Sequence, residues 1–336
     1  MNRPASLSAS TIVAASQQPI VPKTEVLKTE VPKTEKLPAL SPAVLQRVRE
    51  GIAAGRSEQV RWSVKDAFKQ FDRLRSGQRD RRVSGRVRQW MLQRLIHTLF
   101  RVDVDGLENL PGGPCIVTAN HLSHMDPFVL LAELPPAPYW YIMGDARTLY
   151  NSWWKRWVLN WSGGLIPLNR WWKEERAVMA AAAAESNPEI TALATAVKRE
   201  VPSGADLKNT RQLDRAVQAI FAQGDGLMLF PEGRLGEHEG QLHLPLKRGT
   251  VLYALRNGVP IVPLSIVGTK DLHWRKPIRV RVGQPLHFEP APRPSKPAID
   301  EALQRLTVAL QKLLPADYVE PKGAKLLRHT LNHLFW

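Results

Sequence analysis

After Arg101 the chain alternates between two periodicities, and this alternation limits the possible folds more than any other feature. Short apolar runs, CIVTA ending at Ala119, YWYIM at 139–143, LIPL at 165–168, GLMLF at 226–230, IVPLSIV at 261–267 and IRVRV at 278–282, are each bounded by turn residues. Runs this short and apolar read as strands covered on both faces. Between them lie helical stripes: Leu213, Ala216, Val217, Ile220 and Phe221 form one, and Ile299, Leu303, Leu306, Leu310 and Leu313 another. Strand and helix in alternation imply an α/β domain over 102–315, with a mostly parallel central sheet flanked by helices. Ligands in such sheets bind beyond the carboxyl ends of the strands.

With 336 residues and 43% hydrophobic content, the chain can bury a sizeable core and still carry tails. Residues 21–35 read VPKTE, VLKTE, VPKTE, with Pro22 and Pro32 opposing helix and little to bury, so 1–42 is expected to be a disordered tail. A basic helical segment is expected over 43–101. Within it Val87, Trp90, Met91, Leu95, Ile96, Leu99 and Phe100 recur near helical spacing opposite Arg86, Arg88, Arg94 and Arg101, predicting an amphipathic helix that packs on the domain or lies on a membrane surface. The stretch 174–208, rich in alanine, glutamate and lysine, reads as an insertion or lid. At 316–336 an amphipathic C-terminal segment is expected, with Leu327, Leu331, Leu334 and Phe335 on one face.

Lysine and arginine number 47 against 31 acidic residues, a formal charge of +16 that draws the molecule towards anionic surfaces. No zinc-finger spacing or aromatic RNA-binding signature accompanies this charge, so nucleic acid is not the expected partner. No apolar run reaches the roughly 18 to 20 residues that span a bilayer. The N-terminus lacks the pattern of a secretory signal, and the single cysteine, Cys115, cannot form an internal disulfide; a cytoplasmic setting is expected. YNSWWKRWVLNW at 150–161 interleaves tryptophan with Lys155 and Arg156, a composition suited to the headgroup layer of an anionic phospholipid membrane.

The turn NHLSHMDPF, 120–128, concentrates the chemistry. Asp126-Pro127 has the form of a helix start, with aspartate at the N-cap and proline at the first position. His121 then stands at the strand exit, and the turn can return the Asp126 carboxylate to its imidazole. A histidine held in one tautomer by a carboxylate is a competent general base, worth roughly 10²- to 10⁴-fold in rate. Only one residue separates His124 from Asp126, so it lacks this geometry and reads as a bystander. With no third histidine nearby, neither a metal nor a resident cofactor is expected.

Two further strand ends carry cations. GLMLF runs into Pro231, Glu232, Gly233 and Arg234, while LIPL ends in Asn169-Arg170. Glycine allows close backbone approach to an anion, and arginine can grip phosphate through two parallel hydrogen bonds. Lys247 adds positive charge before the next helix. Arg170 and Arg234 at separate strand ends suggest a shared anion pocket. No serine or cysteine sits in an obvious nucleophile elbow, and Cys115 reads as a core residue.

Taken together, these blocks resemble the glycerolipid acyltransferases, the PlsC-type family of 1-acyl-sn-glycerol-3-phosphate acyltransferases. NHLSHMD resembles that family's N-H-x-x-x-x-D motif, GGLIPLNR its second block, FPEGR its third and VPIVPLSI at 259–266 its fourth, in the family's order over about 101–285. The resemblance implies that His121 deprotonates an acceptor hydroxyl and Asp126 orients it, with Asn120 and Lys247 supporting. It further implies that Arg170, Glu232, Gly233 and Arg234 hold the acceptor's phosphate, that Pro263 lies near the acyl-binding region, and that acyl-CoA or an acyl carrier protein is the co-substrate. Phosphatidic acid from a lysophosphatidic acid-type acceptor is the implied product. Two departures bear on acceptor identity: many members carry E-G-T-R-S where this chain has Glu232-Gly233-Arg234-Leu235, and the stretch between Arg170 and Phe230 is longer than usual.

Overall fold

A computed structural model describes residues 37–78, 82–184, 187–204 and 207–333. The pentad repeat, Leu334 and Phe335 lie outside the described residues. The chain runs α1 (Pro42–Arg56), α2 (Glu58–Arg75), α3 (Gly85–Leu99), β1 (Arg101–Asp105), β2 (Ile116–Ala119), α4 (Asp126–Glu133), β3 (Trp140–Asp145), α5 (Ala146–Leu149), α6 (Trp153–Ser162) and β4 (Leu165–Leu168). It continues through α7 (Lys173–Ala184), α8 (Pro188–Glu200), α9 (Leu207–Ala222), β5 (Gly226–Leu229), α10 (Gly249–Asn257), β6 (Ile261–Val267), β7 (Pro277–Val282), α11 (Lys296–Leu313) and α12 (Arg328–His333).

The strands form one seven-stranded sheet in the order β1-β7-β6-β2-β5-β3-β4. Only the β6–β7 pair is antiparallel, so β2 to β6 share one direction while β1 and β7 run against them. The α/β architecture with a mostly parallel sheet is the one the alternation predicts. Its functional consequence is direct: the segments leaving β2, β3, β4, β5 and β6 all emerge along one edge.

Burial explains why these strands read as unbroken apolar runs. Ile116 and Leu227 face a core layer with α2, α9, α10 and α11, whereas their neighbours Val117 and Met228 face the opposite layer with α3 and α4. All four side chains are fully buried, so truncating any one to alanine removes apolar area on a face that cannot reach water, at about 2–5 kcal/mol.

The one strand absent from the sequence expectation is β1. Its residues RVDVD alternate exposed and half-buried, as an edge strand does when a single face is covered. Arg101 therefore belongs to a strand and not to the preceding helix, which closes as Phe100 N–H donates to Ile96 O at 2.7 Å. The expected single apolar face of that helix is also divided. Ile96 and the following Phe100 are buried, with Leu92 and Leu99 packed against the same core, while Val87, Trp90, Met91 and Leu95 lie 45–59% exposed on the outer side.

Residues 174–208 fold largely as α7 and α8. Val178, Ile190, Ala194, Val197 and Val201 form a small core with Val48 and Ile52 of α1, so the N-terminal helix and this stretch bury each other. The C-terminal leucines likewise do not share one face: Leu331 is buried, whereas Leu327 is 56% exposed. Among the described residues no helix is long and apolar enough to cross a membrane.

Candidate active site

The turn after β2 places its chemistry through backbone geometry. His121 Nδ1 lies 2.9 Å from Asp126 Oδ2, and the same oxygen accepts the backbone N–H groups of Leu122 at 2.6 Å and Ser123 at 2.9 Å. Asp126 does not cap α4 as its Asp-Pro context predicts; its carboxylate reaches back into the turn. Because a carboxylate only accepts, Nδ1 carries the ring proton and Nε2 is left with its lone pair, the form a general base requires. Asp126 is fully buried and its Oδ1 has no hydrogen-bond partner among the described residues.

The imidazole is held by more than the carboxylate. Its ring stacks on Phe230 at 4.2 Å between centroids. Its backbone is fixed from the loop after β5, where Glu232 Oε1 accepts His121 N–H at 2.8 Å and Gly236 N–H donates to His121 O at 2.6 Å. Asn120, buried beside it, extends the sheet through its side-chain amide: Nδ2 donates to Ile266 O and Oδ1 accepts Ile266 N–H, each at 2.8 Å.

Glu232 occupies a different place from the one the resemblance implies. It is only 1% exposed and its second oxygen accepts His243 N–H at 2.9 Å, so both carboxylate oxygens are engaged by backbone donors. Burial pushes its carboxyl above the usual carboxylate range, and those two N–H donors oppose the shift. A carboxylate so engaged braces two loops and presents no donor to an anion.

Arg170 reaches the turn after β5 from the end of β4. Arg170, half exposed, donates from Nη1 to Gly233 O at 2.9 Å and from Nε to Asp145 Oδ2 at 3.4 Å. Gly233 has φ +67°, and a Cβ there would come within 3.0 Å of Lys247 Cγ, so glycine both permits the turn and lets the lysine stem lie across it. Arg234 follows in the same turn. Asp145 also accepts Trp172 Nε1–H at 2.9 Å, and the guanidinium groups of Arg47 and Arg147 each lie over the Trp172 ring, at 4.3 and 4.2 Å from its centroid. Gly236, His243 and Asp145 were not marked by the sequence; the Asp145 position at the end of YWYIMGD was the available signal.

Pro263 is not in this cluster. It is buried within β6, paired with Thr118, and its carbonyl accepts Gly283 N–H at 2.8 Å. His124 meets His121 edge to face at 6.5 Å. Burial first, and the neighbouring His121 second, push its imidazole down to about 4, so it is neutral at pH 7. Because the unfolded histidine titrates near 6.5, the unfolded chain binds the extra proton first. The stability this site contributes is full above about pH 6.5 and declines as pH falls towards 4. His124→Gln is expected to retain turnover within a few-fold and to show a shallower fall of melting temperature over that interval, measured by thermal denaturation at successive pH values.

Residues 101–267 match the protein family described as Acyltransferase. The 1-acyl-sn-glycerol-3-phosphate acyltransferase BAT2, chloroplastic, of Brassica napus is 24% identical over 179 residues, covering 52% of this chain and 39% of that protein. The 1-acyl-sn-glycerol-3-phosphate acyltransferase of Limnanthes douglasii is 42% identical over 66 residues, 20% of this chain and 22% of that protein. The chain thus spans well under half the length of either plant relative. The crystal structure of the 1-acyl-sn-glycerophosphate (LPA) acyltransferase PlsC from Thermotoga maritima aligns over 83% of this chain and 89% of that one, at 19% identity and a TM-score of 0.40.

Proposed function

The chain belongs to the acyltransferase family through residues 101–267, and from that premise we propose that it moves a fatty acyl group from an acyl thioester to the hydroxyl of a lysophosphatidate-type acceptor, giving phosphatidic acid. The observation that carries this reading is the 2.9 Å contact between His121 Nδ1 and Asp126 Oδ2, on a sheet edge that also gathers Arg170, Arg234 and Lys247. The acceptor hydroxyl gives its proton to His121 Nε2 as its oxygen bonds to the thioester carbonyl carbon. Collapse of the tetrahedral intermediate breaks the C–S bond, and the departing thiolate takes the proton back from the imidazolium. Asp126 stabilises that imidazolium. The thioester is already activated, so no acyl-enzyme is required, and the donor is acyl-CoA or an acyl carrier protein. Arg170, Arg234 and Lys247 hold the acceptor phosphate, with Glu232 and Gly233 shaping the turn that carries them.

Purified protein supplied with each thioester donor and with lysophosphatidate, glycerol 3-phosphate or another lysophospholipid tests this directly, with product identified by mass spectrometry. Phosphatidate is the expected product. Faster turnover of another acceptor would reassign the substrate, and lipid binding with no turnover on any acceptor would leave a non-catalytic lipid-binding protein.

The acceptor is a lipid, and the surface carries apolar groups suited to an anionic membrane. Trp153, Trp157 and Trp161, spaced four apart on α6, are 75%, 66% and 41% exposed. The outer side of α3 exposes Val87, Trp90, Met91 and Leu95; the helix is tied to the end of α6 through Arg88, which lies over the Tyr139 ring, whose hydroxyl donates to Ser162 O. Tryptophans buried to headgroup depth, with a formal charge of +16 behind them, favour docking on anionic phospholipid. Flotation with phosphatidylglycerol-containing vesicles at low salt is expected to carry the protein upward, and Trp153→Ala with Trp157→Ala to lose most of the bound fraction. Wild-type protein remaining in the lower fraction would count against docking.

A further inference from the structure

Arg234 is oriented by a residue outside the family blocks. Its Nη2 lies 2.8 Å from His243 Nδ1 and 3.3 Å from Glu237 Oε1. A guanidinium has five N–H donors and no lone pair to accept with, so His243 must accept through Nδ1 and carry its ring proton on Nε2. The Glu237 side chain is 72% exposed, and an ion pair that open to water fixes a rotamer weakly. The partly buried imidazole is the stronger constraint. Both contacts use Nη2, and Nη1 makes no hydrogen bond or ion pair among the described residues, so its two donors are left for a ligand.

The backbone of His243 is fixed as firmly as its ring. Glu232 Oε2 accepts His243 N–H at 2.9 Å while Oε1 accepts His121 N–H at 2.8 Å. One buried carboxylate therefore sets the spacing between the general base and the residue that aims the arginine. Resting on the acyl-transfer reading above, we propose that His243 is a positioning residue that presents Arg234 to the phosphate of the acceptor. An arginine held in its bound rotamer loses little freedom when the phosphate arrives, so the effect falls on acceptor binding more than on the chemical step.

His243→Leu keeps the backbone bond to Glu232 and removes the acceptor for Arg234; His243→Asn restores an acceptor on the same γ carbon. With lysophosphatidate, His243→Leu is expected to raise KM about tenfold with kcat within about twofold, and His243→Asn to return KM to within about threefold of wild type. Monoacylglycerol, which has no phosphate, should show no KM change between wild type and His243→Leu. Inorganic phosphate binding, followed by ³¹P NMR titration, gives a readout that needs no turnover and should weaken about tenfold in His243→Leu and recover in His243→Asn. Loss and recovery of phosphate binding in a protein that turns over no lysophosphatidate would remove the acyl-transfer reading and leave the positioning role standing. Unchanged KM and phosphate affinity in His243→Leu, equal KM rises for both acceptors, or an asparagine no better than leucine would overturn the positioning role.

Discussion

His121→Ala is expected to lower acyl transfer by about 10²- to 10⁴-fold, the contribution of one positioned general base, with little loss of folding. Among the described residues the ring makes one side-chain hydrogen bond, to Asp126 Oδ2, and it stacks on Phe230. Its removal does not strand the buried carboxylate, because Leu122 and Ser123 still donate their backbone N–H groups to the same oxygen. Glu232 and Gly236 hold the backbone of residue 121 whatever its side chain. Initial rates of phosphatidate formation alongside thermal denaturation measure both halves of this expectation. A His121→Ala protein with near-wild-type turnover would sink the mechanism. Asp126→Asn preserves an oxygen for the two amides but removes the charge that stabilises the imidazolium, so its kcat should fall by a comparable factor while the turn keeps its shape.

Glu232→Ala should behave in the opposite manner, losing stability as well as activity. Its two carboxylate oxygens accept the backbone N–H groups of His121 and His243, two loops brought together from 122 positions apart in sequence (243 − 121). Truncation leaves both donors without their partner at a residue that is 1% exposed, a cost of about 2–5 kcal/mol for the two. Glu232→Gln keeps the volume and one good acceptor oxygen, so chemical denaturation should rank wild type above glutamine and glutamine above alanine. The kcat should follow the same order, because the backbone of the base is released with the brace. If Glu232 instead held the acceptor's phosphate, Glu232→Gln would change KM and leave the unfolding midpoint untouched; that pattern would refute the bracing role.

What the sequence reveals and what it hides follow from the same physics. Strands buried on both faces, such as that of Ile116 and Val117, cannot hide, because neither face tolerates polarity. RVDVD covers only one face and sits after an apolar helix end, so it reads as a continuation of that helix. The His121 and Asp126 pair is legible because only four residues of turn separate them. Glu232 is not legible as a brace, since its partners are backbone N–H groups that leave no mark on side-chain pattern. His243 is one of two histidines, with His238, in a loop with no period, nine positions from Arg234. The apolar positions of α3 are plain in the sequence, but periodicity cannot say which are covered: Ile96 packs inward and Trp90 is left outside.

The strand order bears on where this folding unit begins and ends. The family match covers 101–267, from β1 to the end of β6. Yet among the described strands β1 pairs only with β7, which lies beyond residue 267 and wedges between β1 and β6. The core face behind β2 and β5 is closed by Phe68 and Phe71 from before the match and by Leu306 and Leu310 from after it. The segment that sequence kinship outlines is therefore not a module that can be lifted out: its opening strand has no neighbour until a later part of the chain returns to supply one. Excision and domain-swapping designs should take their borders from the packing, which extends on both sides of the borders of kinship.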